Sequence, residues 1–238
     1  MLKLLLQGEG PTDCGTVNYQ TGEIEEGPIQ IYIRKILNNA EVTMELLPRA
    51  FYQKRPRLQP HGQKLKGHGI RAYLLSIEAL RKECDGAVLY VDADKESGID
   101  ARQKHQCQKR YDEIKKDILH GFQAKSCRGV AAIPMKMIES WMMGDKNALQ
   151  EAFGHARQPK HKKISVEPFP SSPELEWGDK NDKNSNYPKN QLHRILAAYS
   201  REPSRETFYK IAQATDIETL RKNCPISFDD FYKQLKKL

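Results

Sequence analysis

Two short segments concentrate side chains suited to acid and metal chemistry. Gly8-Glu9-Gly10-Pro11-Thr12-Asp13 follows the apolar run from Leu2 to Leu6, and Asp92-Ala93-Asp94-Lys95-Glu96 follows Ala87-Val88-Leu89-Tyr90-Val91. In a parallel α/β sheet, chemistry collects beyond the carboxyl ends of the strands. If these two strands are parallel neighbours, five carboxylates converge on one edge. Carboxylates that close together repel and raise one another's pKa unless divalent cations neutralise them. Oxygen-rich sets of this kind suit Mg²⁺ or Mn²⁺. Asp92 and Asp94, on alternate positions at a strand end, can share an ion directly or through water. Two ions roughly 3.5–4 Å apart would clamp the attacking and leaving oxygens of a phosphodiester. The glycines around Glu9 leave room for a substrate backbone or phosphate. Taken singly, each motif has a plainer reading: DxD caps the next helix and Gly-Glu-Gly makes a turn. The specific signal is the pair, each on a strand end.

Positive charge is just as localised. The chain has 238 residues and a formal net charge of +8. Between Arg49 and Arg71 stand seven basic residues (Arg49, Lys54, Arg55, Arg57, Lys64, Lys66, Arg71) and no acid. The remainder is close to neutral, so the excess is a focused patch. Lys and Arg contacts to phosphate dominate nucleic-acid affinity, and Phe51 and Tyr52 are placed to stack a base. A solvated surface loop is the alternative; a stretch this long without an acid favours a polyanion partner. Lys160, Lys162 and Lys163 would extend that surface.

The elements that must position these groups alternate along the chain. Leu2 to Leu6 reads as a buried strand, and Pro28 opens a helix running to about Asn39. Val42 to Leu47 is a second strand, and Ile70, Tyr73, Leu74, Ile77 and Leu80 mark the face of a helix. The fully apolar run Ala87 to Val91 predicts a strand covered on both faces. A helix from about Ile99 to Phe122 follows, with Tyr111, Ile114, Ile118 and Phe122 on its apolar face. Gly129 to Ile133 is another strand, and Ile138–Met143 and Ala148–Phe153 are short helices. The expected fold class is therefore α/β, a mostly parallel central sheet flanked by helices. Residues 1–154 would form this domain, with 155–190 a polar linker and 191–238 a C-terminal helical extension. That extension reads as three helices, near 191–199, 204–214 and 227–237. No apolar run approaches the length of a spanning helix. Met1 to Leu6 is too short for a signal peptide. The five cysteines are widely spaced with no CxxC, which argues against a disulfide framework or a structural zinc. A reducing cytoplasm is the expected location.

Glu9-Gly10-Pro11-Thr12-Asp13 after the first strand, with Asp92-Ala93-Asp94-Lys95-Glu96 after a later one, resembles the Toprim domain. That domain is shared by topoisomerases, bacterial primases and OLD-type nucleases. The short Glu-x-x-x-Asp form is most similar to OLD-type and small stand-alone Toprim proteins of bacterial defence loci. Ile138-Glu139-Ser140-Trp141, Pro188-Lys189-x-x-Leu192 and Cys224-Pro225-x-x-Phe228 look like later features of the same small proteins. The resemblance covers about residues 1–145 and is looser beyond. It implies that Glu9 is a metal ligand or general acid/base and that Asp13 is its second acid. Asp92 and Asp94 would hold the ion, and Glu96 would complete the cluster. It further implies a nuclease working in antiviral defence beside an ATPase partner. The sequence departs from the pattern in a longer loop, Cys14 to Gly27, whose Glu23, Glu25 and Glu26 would gate the site if it folds over it.

Other residues have plainer expectations. Glu139 either approaches the metals or caps its helix. Trp141 belongs in the core. Lys189 either contacts phosphate or is solvated. His61 and His68 sit in the basic stretch as candidate phosphate helpers, and Cys14 lacks the base a nucleophile needs. Two rival readings remain open. One is a DxD nucleotide-sugar transferase, which leaves Glu9 and Asp13 without a role. The other is a non-catalytic subunit binding nucleic acid or an ATPase partner through residues 49–71.

Overall fold

A computed structural model describes residues 1–18, 20–38, 41–48, 64–93, 104–154, 168–176 and 178–238. Its centre is a four-stranded, all-parallel sheet of β1 (Leu2–Gln7), β4 (Val42–Leu46), β5 (Gly86–Tyr90) and β6 (Gly129–Ala132), in the order β4-β1-β5-β6. Leu6 pairs with Leu46 and Val88, and Tyr90 with Ala132. β1 and β5 are therefore parallel neighbours, as the convergence of their acidic ends requires. All of β5 is buried, as an apolar run without alternation demands of a strand covered on both faces.

Strand alternation sorts the side chains into two cores. Leu5, Leu89, Val91 and Ala131 pack under α3 (Gly67–Arg81) and α4 (Lys104–Gln123). Leu4, Leu6, Val88, Tyr90 and Val130 pack on the other side. There they meet α2 (Pro28–Ile36), α5 (Ile138–Met142), α6 (Lys146–Phe153), α7 (Pro188–Ala198) and α8 (Arg205–Ala214), together with α9 (Ile217–Asn223) and α10 (Phe228–Leu235). The two-sided α/β architecture is thus present. The 191–238 segment is helical and completes one of the two cores. It holds four helices where three were expected; the seven residues of α9 are too few to show a periodic stripe. Trp141, expected in the core, is fully buried; its ring stacks on Phe231 at 5.5 Å and meets Phe228 edge-on at 5.1 Å.

The inner face of α3 differs from the expected one. Leu74 is buried as expected, but Leu80 is 48 % exposed and Ile70, Tyr73 and Ile77 are only half-buried, whereas Ala72, Leu75, Ser76 and Ala79 face inward. The cause is the close approach of α4: a Cβ on Gly121 would lie 2.1 Å from the Gly69 carbonyl oxygen and 2.9 Å from Ala72 Cβ. Only small residues fit that seam, so backbone proximity overrides the stripe of large apolar side chains.

The polar 155–190 segment falls partly outside the described residues. Its described part contains a 3₁₀ turn, Pro173–Leu175, that carries a buried carboxylate. Glu174, 1 % exposed, accepts from Ile226 N at 2.8 Å, Ser227 N at 2.9 Å and Ser227 Oγ at 2.6 Å. Among the described residues no helix is long and apolar enough to cross a membrane.

Candidate active site at the carboxyl edge of the sheet

The chain leaves β1 at Gly8 and turns at once into α1 (Pro11–Cys14), a single helical turn with proline in its first position. Cys14 N reaches back to Gly10 O at 3.4 Å and Gly15 N to Pro11 O at 3.1 Å. The buried Gln30 on α2 donates through Nε2 to the Cys14 carbonyl and accepts from Gly27 N at 3.2 Å. These bonds fix Asp13 with its side chain 8 % exposed. The segment from Cys14 to Gly27, expected as loop, forms a short antiparallel hairpin of β2 (Thr16–Val17) and β3 (Ile24–Glu25). Its acids are tied elsewhere: Glu25 pairs with Arg205, and Glu26 with Arg34.

Gly15 is indispensable to this turn. Its φ is +72°, and a Cβ there would lie 2.1 Å from the Glu25 carbonyl oxygen and 2.8 Å from Gly27 N. Gly15→Ala is therefore expected to cost about 2 kcal/mol or more of stability. A urea-unfolding midpoint equal to wild type would contradict that.

Asp13, Asp92 and Glu139 line one pocket of about 270 Å³ beyond the strand ends, with Thr12 and Lys189 at its wall and Ile138 and Phe208 beneath. Asp92 follows β5, where Tyr90 Oη donates to its Oδ1. Glu139 stands in the first turn of α5 and lines this pocket. The electrostatics are those of crowded acids. Burial, then the charges of Glu139 and Glu9, push Asp13 up to about 7. Burial and the charge of Asp13 push Asp92 well above the usual carboxylate range, against the Tyr90 hydrogen bond, which lowers it. Glu9 acts on both carboxyls but lines a different cavity, also about 270 Å³, with Gly10, Cys14, Leu46 and Pro48. It pairs with Arg71 Nη1 at 3.2 Å, while Arg71 Nη2 donates to the buried Gln7 Oε1 at 3.0 Å.

The other expected site residues divide accordingly. Asp94, Glu96, Arg49, Lys54, Arg55 and Arg57, with Phe51, Tyr52, His61, Lys160, Lys162 and Lys163, lie outside the described residues. Lys64 and Lys66 are exposed on either side of the buried Leu65. Arg71, counted with the loop cations, belongs to α3 and turns inward to Glu9. Lys189 is exposed at the start of α7 and reaches the acid pocket. Leu192, Cys224 and Phe228 are core. Nothing in the sequence singled out Tyr90 as a partner of Asp92, although its place two residues earlier on the same face of β5 is a usable signal.

Among the described residues no three His, Cys, Asp or Glu side chains stand close enough to hold a metal ion as they are placed. The donor chemistry nevertheless fits a divalent cation. Asp13, Asp92 and Glu139 are hard oxygen donors around one polar pocket, and their mutual repulsion is what such an ion relieves. No curated protein and no solved structure matches the chain. A family model described as "Domain of unknown function (DUF4276)" matches residues 22–236, a span that includes Asp92, Glu139 and Lys189 and begins after Glu9 and Asp13. With nearly the whole chain matched, the protein belongs to the DUF4276 family.

Proposed function

We propose that this chain is a Toprim-type, divalent-metal-dependent nuclease that hydrolyses phosphodiester bonds of DNA or RNA. The observation that carries the reading is the meeting of Asp13, Asp92 and Glu139 around one pocket at the carboxyl edge of a parallel sheet, with the first two held above their ordinary pKa. Asp13, Asp92 and Glu139 would hold Mg²⁺ or Mn²⁺, joined by Asp94 and Glu96 on the Toprim resemblance. The ion supplies Lewis-acid activation of the phosphodiester and of the attacking water.

The chain's own groups do the rest. Tyr90 orients the Asp92 carboxylate through its hydroxyl. Lys189, at the pocket wall, neutralises phosphate charge. Arg71 holds Glu9 in place at the end of β1, where Glu9 serves as general acid/base near the leaving or attacking oxygen. The exposed Lys64 and Lys66, with the basic stretch before them, grip the nucleic-acid backbone. Work beside an ATPase partner in antiviral defence, in the cytoplasm, is part of the same proposal and rests on the resemblance alone.

Incubation of purified protein with plasmid DNA and with RNA in Mn²⁺ is the direct test. Nicked or shortened products, absent in EDTA, are expected. If no product forms and calorimetry detects no Mn²⁺ binding, the nuclease reading fails.

A further inference from the structure

Beside the acid pocket lies the second cavity of about 270 Å³, the one that Glu9 lines. A single helical turn separates the two. Thr12 and Asp13 of α1 line the acid pocket, whereas Pro11 and Cys14 line the other. The backbone cylinder between them is only about 5 Å across. The walls of the second cavity are largely apolar, with Pro11, Val17, Leu46 and Pro48 around it and Thr16 among them. Glu9 is the one charged side chain lining it among the described residues, and Arg71 is committed to that carboxylate at 3.2 Å. The cavity therefore offers a phosphate no excess of positive charge.

Gly10 stands where the two cavities meet. It lines the second, and a Cβ built on it would come to 3.9 Å from Asp13 Oδ2 in the first. The backbone does not need glycine here: φ of −156° and ψ of 171° are extended values open to any residue. Beyond the chain neighbours of Gly10, that carboxylate oxygen is the one described atom within 4 Å of the added carbon. A Cβ on Gly8, by contrast, would strike Cys14 Sγ at 2.5 Å.

We propose that this second cavity receives a nucleobase of the bound strand, and that the strand passes into it from the acid pocket over Gly10. The inference rests on the nuclease reading for the identity of the strand, and on geometry for the base. The cavity is just smaller than the roughly 300–1,000 Å³ pockets that take drug-sized molecules, which suits a single base. Its proline rings and branched aliphatic side chains pack on the faces of a flat ring. Thr16 brings a hydroxyl for the polar rim of that ring. With one helical turn between the cavities, a phosphate at the acids leaves its own nucleoside within reach of the second one. A crossing strand also accounts for glycine at position 10, because a side chain there would stand in its path without disturbing the protein beneath. A base enters such a cavity only when splayed out of its stack, so the ligand is single-stranded or unpaired nucleic acid.

Binding of a fluorescein-labelled oligothymidylate and of an abasic strand of the same length, followed by anisotropy in EDTA over a series of NaCl concentrations, tests the pocket. Wild type is expected to prefer the strand with bases by roughly tenfold, the order of what one held base contributes. Gly10→Val, which blocks the crossing, and Val17→Trp, which fills the cavity, should each reduce that preference to within about twofold. The slope of log K against log [NaCl] should stay at its wild-type value in both, because a base contact releases no counterions. Gly10→Val should keep the circular dichroism spectrum and thermal midpoint of wild type, since valine favours extended backbone. Unfolding of Gly10→Val would overturn the crossing over Gly10, and Val17→Trp then decides the cavity. Equal binding of the two strands by wild type, or a preference undiminished in Val17→Trp, would overturn the base pocket. A slope lowered by about one in Val17→Trp would assign the cavity to a phosphate and overturn it as well. Base-dependent binding lost in the variants, without cleavage in Mg²⁺ or Mn²⁺, supports the pocket while refuting the nuclease. Cleavage in Mn²⁺ by a wild type that binds the two strands alike would do the reverse.

Discussion

Asp92→Asn is expected to lower metal-dependent strand cleavage by roughly a thousandfold, about 4 kcal/mol of transition-state stabilisation. The substitution keeps the size and shape of the side chain and a carbonyl oxygen able to accept from Tyr90. It removes the charge that a divalent cation needs. Because the carboxyl is buried beside Asp13 and Glu139, losing the charge should not unfold the protein. Circular dichroism and the thermal midpoint of Asp92→Asn are expected to match or exceed wild type. Gel assays of nicking in Mn²⁺, with the exposed Glu206→Gln as a surface control, provide the measurement. Residual cleavage within about tenfold of wild type would place the chemistry elsewhere.

The second large effect concerns stability. Asp13 titrates near 7 in the folded chain against 3.8 for an unperturbed aspartate. With the folded pKa raised, the native state binds a proton that the unfolded chain has released. Stability therefore falls as pH rises from about 4 to about 7, then levels off. Asp13→Asn removes that slope. In EDTA at pH 8 the variant is expected to be more stable than wild type, by on the order of 2–4 kcal/mol. The advantage should vanish below about pH 3, where Asp13 is protonated in both states. Mn²⁺ should reverse the ranking at pH 8 by stabilising wild type through mass action while leaving Asp13→Asn unchanged. Urea unfolding at the two pH values reads all of this. A variant less stable than wild type at pH 8 in EDTA would show that burial and the neighbouring acids do not hold Asp13 above its unfolded value. A site that resists its own charge in this way is stability given up for function.

The elements legible in the sequence were those whose signal is local. β1 and β5 announce themselves as apolar runs, and Pro28 marks the start of α2 by its missing N–H. Asp13 and Asp92 were visible because strand ends in a parallel sheet share one edge, so a one-dimensional motif becomes a three-dimensional cluster. Signals that depend on what another segment does were not legible. The inner face of α3 is set by Gly121 of α4, and its own stripe of Ile70, Tyr73 and Ile77 misled. Glu139 carried two readings, helix cap and site acid, and only the placement of α5 shows that it lines the pocket. Arg71 read as one more loop cation until a helix turned it toward Glu9. Glu174 sits in a polar stretch whose composition suggests solvent. Its burial follows from the backbone N–H groups of Ile226 and Ser227, which lie fifty residues away in sequence.

Those bonds have a mechanical consequence. Ser227 Oγ accepts from Trp141 Nε1 at 2.8 Å and donates to Glu174, and Trp141 lies two residues beyond Glu139 on the same short helix. Five residues give α5 too few hydrogen bonds to persist alone. Its rigidity is borrowed from the start of α10 through a relay of indole, hydroxyl and carboxylate. The pocket wall and the chain's final helix therefore belong to one cooperative opening unit. A partner that grips α10 would be felt at Glu139 without touching it.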